Sequence, residues 1–405
     1  MRVLVINCGS STLKFDLVET PGEGTAGGAS PRLFRGIVDR IGGRASVSFS
    51  AGEGAQIERD LEVEDHAAAA RLALQLLDDA GYRSSVEAVG HRVVHGSDRF
   101  TSSILIDGEV IAAIDDVSNL APLHNAASVK AIRAAREVLG NTVPMVATFD
   151  TAFYAGLPPR ASQYAIPRDV AERHRIRRYG FHGLAHQFMF ERYAALSASP
   201  KEDAKIITLQ LGAGCSATAI AGGAPVDTSM GFTPLEGLVM ATRSGDIDPS
   251  LPRFLAEAEG VGISEAESWL NRRSGLLGLS GLSSDMRDLL AAERVGDAHA
   301  ALAIDVFCYR ARKYIGAYLA ALGGAEAVVF GGGIGENSPS IRRRICPGMD
   351  WCGLVLDDRR NQEAVGVEAA IHTEDSTVLA YVIPVDEAVI IAREVEACLS
   401  SANRN

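Results

Sequence analysis

The chain opens with an apolar run, Val3-Leu4-Val5-Ile6, that enters Asn7-Cys8-Gly9-Ser10-Ser11-Thr12-Leu13-Lys14 and resumes as Phe15-Asp16-Leu17-Val18. Two apolar runs around a Gly/Ser turn predict a hairpin. Its tip offers backbone N–H groups, hydroxyls, an amide and one ammonium, the donors that phosphate oxygens accept from. The pattern returns in the second half: Ile206-Ile207-Thr208-Leu209 runs into Gln210-Leu211-Gly212-Ala213-Gly214-Cys215-Ser216 and continues as Ala217-Thr218-Ala219-Ile220. Taken alone, the first segment reads equally as an ordinary hairpin with a solvated Lys14. Its recurrence points instead to a duplicated nucleotide-binding α/β fold with the triphosphate clamped between halves. The first turn is not a Walker A loop, because Leu13 precedes Lys14 and a strand, not a helix, follows.

A chain of 405 residues exceeds one comfortable core, so two domains are expected. Asp65 reads as the cap of a helix from His66 to Ala80, closed by Gly81, and short strands are expected around Phe34–Val38 and Val47–Phe49. Val86–Val94 reads as a strand ending in His91-Arg92-Val93-Val94-His95-Gly96. Asn125 reads as the cap of a helix to Leu139, and Val143–Phe149 as a strand that delivers Asp150 at its carboxyl end. Ligands of open α/β sheets sit at such ends. Pro158-Pro159 suggests a crossing between domains. Helices are predicted over 184–196 and 300–322, strands over 327–330 and 377–383, and a closing helix to about Cys398.

Net charge and cysteines narrow the function. A charge of −12 argues against a nucleic-acid partner. Cys8, Cys215, Cys308, Cys346, Cys352 and Cys398 lack metal spacing and read as small apolar thiols in a reducing cytosol. No apolar stretch approaches a spanning helix, so a soluble cytoplasmic protein with no membrane partner is expected.

Two further segments suggest chemistry. Gly331-Gly332-Gly333-Ile334-Gly335-Glu336-Asn337 follows a strand and suits close backbone approach to a ring or ribose, or a plain Gly-rich helix entry. The stretch from Asp227 to Ser250 reads as a long polar loop, too apolar at Met230, Phe232, Leu235 and Leu238 to be disordered. Within it Arg243 either binds an anion or pairs with Asp246 or Asp248.

These segments, with Ala121-Pro122-Leu123-His124-Asn125, Phe149-Asp150-Thr151-Ala152-Phe153, Arg178-Tyr179-Gly180-Phe181-His182-Gly183, Asp285-Met286-Arg287 and Asp386-Glu387, resemble the acetokinase family of the actin, sugar-kinase and heat-shock-chaperone superfamily. The resemblance spans essentially the whole chain. It implies two ribonuclease-H-like, actin-like domains, 1–150 with 384–405 and 151–383, with the active site in the cleft between them. It also implies reversible transfer of the ATP γ-phosphoryl group to acetate, giving acetyl phosphate and ADP by in-line displacement, in a homodimer. By the same resemblance Arg92 and Arg243 hold the carboxylate and the moving phosphoryl group, His182 donates to the phosphoryl, and Asp150 is catalytic. Val94, Leu123, Phe181 and Pro234 line a methyl pocket. Lys14, Gln210, Leu211, Gly212, Ala213, Gly214, Asp285, Met286, Arg287, Gly333, Ile334, Gly335, Glu336 and Asn337 contact the nucleotide. Asn7 and Glu387 match the positions for Mg2+, with Mn2+ as an alternative. Because acetate is already ionised at neutral pH, orienting Mg2+, its waters or an arginine is the more economical role for Asp150 than proton transfer.

The chain departs from the family pattern. Gln210 and Ala213 replace the His and Asn of the usual His-Leu-Gly-Asn-Gly turn, Leu184-Ala185 replace Thr-Ser, Tyr154 stands where His is common, and Ala126 replaces Pro. Two readings follow: an active kinase with an altered phosphate site, or a nucleotide-binding, weakly catalytic relative acting as an acetyl-phosphate hydrolase or sensor.

Overall fold

β1 (Arg2–Cys8) and β2 (Thr12–Glu19) form the first hairpin, with Asn7 opposite Lys14. β3 (Arg32–Asp39), β4 (Gly43–Ala51) and β5 (Ile57–Val63) extend it as an antiparallel meander. On the other side β6 (Ala88–Val93) and β8 (Met145–Phe149) run parallel to β1, and β7 (Ile104–Leu105) closes the edge antiparallel to β8. The order is β5-β4-β3-β2-β1-β6-β8-β7. In this computed structural model, residues 1–20, 31–52, 54–120, 124–197 and 200–402 are described.

The second sheet repeats that plan. β9 (Lys205–Leu211) and β10 (Cys215–Ala221) make the second hairpin, and β11 (Ala224–Thr228) extends it antiparallel. β12 (Ala327–Gly331) and β14 (Leu379–Val382) run parallel to β9, and β13 (Ala369–Ala370) closes the edge. The order β11-β10-β9-β12-β14-β13 matches β3-β2-β1-β6-β8-β7 strand for strand and direction for direction. The duplication inferred from two hairpins therefore extends over six strands, the ribonuclease-H-like, actin-like arrangement. The chain divides into two compact units, Met1–Ala155 with Asp386–Asn405, and Gly156–Val385.

Hydrophobic pattern explains where each strand sits. Val3–Ile6 are all buried, as a strand covered on both faces must be, and helices Asn125–Leu139 and Glu387–Ala402 both pack on β1 and β6. β4 instead alternates, with Ala45, Val47 and Phe49 turned inward. β5, Ile-Glu-Arg-Asp-Leu-Glu-Val, is exposed at most positions and carries charges along the sheet edge, which blocks pairing with another chain. Its polar composition hides it from a search for apolar runs.

Two expectations shift, and a third falls outside the described residues. Asn125 is the first helical residue rather than the cap, and no side chain caps this end. Its buried amide instead accepts from His95 N at 3.1 Å and donates to His95 O at 2.9 Å. One amide satisfying both backbone groups of a residue outweighs a single cap bond. The start of the 227–250 loop belongs to β11. The third concerns Leu123, whose expected pocket role falls outside the described residues, together with Ala121 and Pro122.

His91, on β6, is 1% exposed, and burial pushes its imidazole down to about 3. The unfolded chain titrates this group near 6.5, so below that pH it takes up a proton that the native chain refuses. Stability therefore falls as pH drops below 6.5, by about 2 kcal/mol at pH 5 for this group alone. Urea unfolding at pH 7 and pH 5 checks it: His91→Leu reduces the pH-dependent loss by about that amount, and an unchanged loss would contradict the assignment.

Candidate active-site residues

In the unit built on β1–β8, the carboxyl ends of the parallel strands carry the candidate residues. Strand register sets Asn7 beside Arg92 and Arg92 beside Thr148, and Asp150 follows directly after β8. Arg92 Nε and Nη2 donate to the two Asp150 oxygens at 2.9 and 2.6 Å, and Nη1 donates to Asn7 Oδ1 at 3.0 Å. Asn7 Nδ2 donates in turn to Glu387 Oε2 at 2.7 Å. Burial alone would lower the Arg92 guanidinium, but the carboxylates of Asp150 and Glu387 more than offset it and hold its pKa above the ordinary value. Asp150 is fully buried. Arg32 braces the corner from below, donating to Asp386 at 2.7 and 2.9 Å while facing Asp16 at 2.9 Å. This places Asp386 and Glu387 at the head of the closing helix, where a carboxylate favours the helix N-terminus. Lys14, opposite Asn7, is exposed and lines a concavity of about 360 Å3 with Asp16, Arg35 and Gln56.

In the unit built on β9–β14, the second hairpin tip meets His182 and Arg243. His182 precedes helix Gly183–Leu196 in the left-handed region, φ 56°, a conformation costly for a residue with a side chain and common where function requires it. A Cβ on Gly214 would lie 3.2 Å from His182 Nε2 and 3.6 Å from Arg243 Nη2, so glycine leaves room where an imidazole and a guanidinium converge. Arg243 donates to Pro234 O at 2.7 Å, and among the described residues no carboxylate pairs with it. Burial therefore lowers its pKa, with the Cys215 thiol the opposing influence. Asp246, which the sequence left as a partner for Arg243, is engaged elsewhere: it accepts from Gly237 N at 2.9 Å and from Tyr314 O–H at 2.8 Å.

The loop that carries Pro234 and Arg243 is ordered by a brace the sequence did not reveal. Glu236 accepts from Arg178 Nη2 at 2.5 Å and from the Tyr164 hydroxyl, and that hydroxyl accepts from Phe232 N at 2.8 Å. Arg178 also donates to the carbonyls of Thr228 and Ser229. Phe181 is buried beside His182, and Val94 is buried at the exit of β6 in the first unit.

The glycine turn lies against the second hairpin. Parallel register sets Gly331 beside Gln210, and Gly332, at φ 75°, would put a Cβ 2.6 Å from Leu211 O. Only glycine fits there. Glu336 Oε1 accepts from Gly332 N and Val385 N, and Asn337 Nδ2 donates to Gly333 O, so both side chains hold the turn itself. Beneath it Arg342 is fully buried and donates to Gly335 O and Glu336 O, and to Asn361 and Ala364. With no carboxylate pairing with it among the described residues, burial pushes its pKa down to about 10. Gln210 Oε1 is buried without a hydrogen-bond partner among the described residues. Asp285 caps the next helix through Arg287 N and pairs with the exposed Arg287 side chain, so these two engage each other, while Met286 is buried. Burial pushes the Cys8 and Cys215 thiols up to about 12, which keeps them protonated and unreactive.

His186, Ser216 and Thr208 are the functional-looking residues that sequence reasoning missed. Ser216 Oγ lies 2.8 Å from His182 Nδ1 and 2.7 Å from His186 Nε2, and His186 Nδ1 lies 2.6 Å from Thr208 Oγ1. The signal was present: two histidines four apart at a helix start, beside strands with hydroxyls at buried positions. No described helix is long and apolar enough to cross a membrane.

The comparisons agree across the whole chain. A family model described as the acetokinase family matches residues 2–393. An acetate kinase from Solibacter usitatus is 48% identical over 407 residues, covering 98% of each chain. Among solved structures, acetate kinase of Porphyromonas gingivalis aligns with a TM-score of 0.89 at 38% identity, covering 98% of this chain and 99% of its own. A propionate kinase from Francisella tularensis aligns with a TM-score of 0.89 at 36% identity and the same coverage. With two matching sheets, the paired Arg92 and the carboxylate-free Arg243 already described, the chain belongs to the acetokinase family.

Proposed function

We propose that the chain catalyses reversible transfer of the ATP γ-phosphoryl group to acetate, giving acetyl phosphate and ADP by in-line displacement. The observation that carries this reading is Arg243, a part-buried guanidinium with no described carboxylate partner, converging with His182 on the Gly214 turn. A buried unpaired cation is costly unless an anion completes it. Phosphoryl transfer needs such a group, since catalysis is mostly positioning and charge stabilisation.

Arg92 and Arg243 have different parts. Arg243 is available to an anion and suits the phosphoryl group or the carboxylate, which a planar fork grips better than an ammonium. The Arg92 fork is occupied by Asp150, which therefore orients the guanidinium rather than moving a proton. The ionised acetate needs no base. Gly212 N donates to Gly214 O at 3.1 Å inside the turn, so the backbone of Ala213 and Gly214 is proposed to supply the donors for phosphate, and Gly332–Asn337 form the turn proposed to receive the nucleoside of ATP or ADP.

Asn7 and Glu387 are in hydrogen-bond contact, with Asn7 Oδ1 turned to Arg92 Nη1, and their amide and carboxylate oxygens are the hard donors that would hold Mg2+ or Mn2+. Among the described residues no cluster of three or more acidic, His or Cys side chains would hold a metal unaided, which suits an ion that keeps its waters and shares phosphate oxygens. Bound there, it would neutralise phosphate charge. The same reading extends to a cytoplasmic homodimer on family resemblance alone.

Val94, Phe181 and Pro234, with Leu123, are proposed to line the methyl pocket. Acetate is expected to be preferred over propionate, with butyrate poor, because each methylene in a tight apolar pocket is worth about 1–3 kcal/mol. ADP formation with the three acids at saturating MgATP checks this by kcat/KM. Equal kcat/KM on butyrate would contradict the pocket.

A further inference from the structure

We propose that Thr208, His186 and Ser216 form a hydroxyl–imidazole relay that holds His182 neutral with its proton on Nε2, so that it donates an uncharged hydrogen bond to the transferred phosphoryl group. The relay rests on the kinase reading above for what it serves, but its geometry stands independently. Its three contacts, at 2.6, 2.7 and 2.8 Å, run unbroken from the sheet interior to His182 Nδ1.

Proton counting gives such a chain two polarities. A hydroxyl has one proton to donate and a neutral imidazole has one N–H. In the outward polarity Thr208 O–H donates to His186 Nδ1, His186 Nε2–H donates to Ser216, and Ser216 O–H donates to His182 Nδ1. His182 then carries its proton on Nε2, the nitrogen beside Gly214. In the inward polarity every donor reverses, His182 turns a lone pair toward the anion site, and Thr208 spends its proton on Thr218 O at 3.4 Å. That last bond is weak, so the inward arrangement gains little. A phosphoryl oxygen accepts but cannot donate, so a bound anion selects the outward one.

The surroundings keep the chain neutral. His186 is fully buried, and that burial, with His182 beside it, holds its pKa well below the usual value. At the outer end Arg243 already places one positive charge next to His182 Nε2 through Gly214, and a second charge there is disfavoured. Ser216, His186 and Thr208 are thus positioning residues: none faces the substrate.

Two measurements test the relay. The first needs no substrate. In full-length protein with 15N-labelled histidine, assigned with His182→Gln, the two-bond couplings of His182 at neutral pH are expected to report an Nε2–H tautomer. An Nδ1–H tautomer or an imidazolium overturns the proposal even if the kinase reading holds. The second is a double-mutant cycle on ATP formation. Ser216→Ala is expected to lower kcat by about tenfold with both KM values within twofold, and to cost nothing further in a His182→Ala background. Thr208→Val, isosteric and farther away, is expected to give a smaller loss of the same kind. Additive losses, or a KM effect without a kcat effect, overturn it. Absence of kinase activity in the wild type would instead reject the kinase reading and leave the tautomer result to decide the relay.

Discussion

Arg243→Ala is expected to lower kcat by a factor of about 10³ or more while leaving thermal stability unchanged or slightly raised. The two halves of this result share one cause. Arg243 is part-buried without a described carboxylate, so its removal strands no opposite charge, and the carbonyl of Pro234 loses a donor, worth about 1 kcal/mol. Relief of a desolvated cation offsets that loss. The rate suffers instead, because an arginine that stabilises a transferring phosphoryl group contributes about 10³–10⁵ in kcat. Arg243→Lys is expected to recover little, since an ammonium lacks the bidentate fork. Steady-state kinetics with a melting curve on the same preparation checks both halves. A variant that melts early, or one within tenfold of wild-type kcat, would contradict the role.

Asp150 is expected to behave in the opposite way. It is fully buried and grips both Nε and Nη2 of Arg92, so Asp150→Ala leaves Arg92 with Glu387, 3.9 Å away, as its nearest described counter-charge. Breaking one side of such a pair costs about 3–5 kcal/mol. Asp150→Asn keeps the shape but loses the charge. Its kcat is expected to fall by about 10²–10³, and the Mg2+ concentration needed for half-maximal rate is expected to rise, because Arg92 also holds Asn7, which holds Glu387. A titration of Mg2+ at fixed ATP separates the roles. Loss of turnover with an unchanged Mg2+ requirement would favour proton transfer by Asp150 over orientation.

The contrast between the two arginines was not legible in the sequence, which allowed Arg243 to pair with Asp246 or Asp248. Pairing depends on Tyr314, 68 residues along the chain, and on Gly237 across the same loop, which together engage Asp246. What was legible is local. The hairpins announced themselves through apolar runs interrupted by glycine, and Asp65 caps its helix as expected, accepting from Ala67 N and Ala68 N at 3.0 Å. Asp150 follows the end of a strand as expected, directly after β8, but its partner came from β6, and no spacing reveals parallel register. β5 was invisible because edge strands lack the apolar alternation that marks strands elsewhere. Asn125 looked like a cap, yet tertiary demand from His95 took its amide. Arg342 gave no sign of being the buried prop of the glycine turn, since its acceptors are mostly backbone carbonyls, and carbonyls carry no sequence signature.

The central claim is that this chain moves a phosphoryl group between acetate and a nucleotide rather than to water. It is tested most directly by incubating the protein with acetyl phosphate and MgADP while following ATP formation and inorganic phosphate release together. ATP appearing in step with acetyl-phosphate loss, with negligible phosphate release, is the predicted result. Phosphate release without ATP would contradict it.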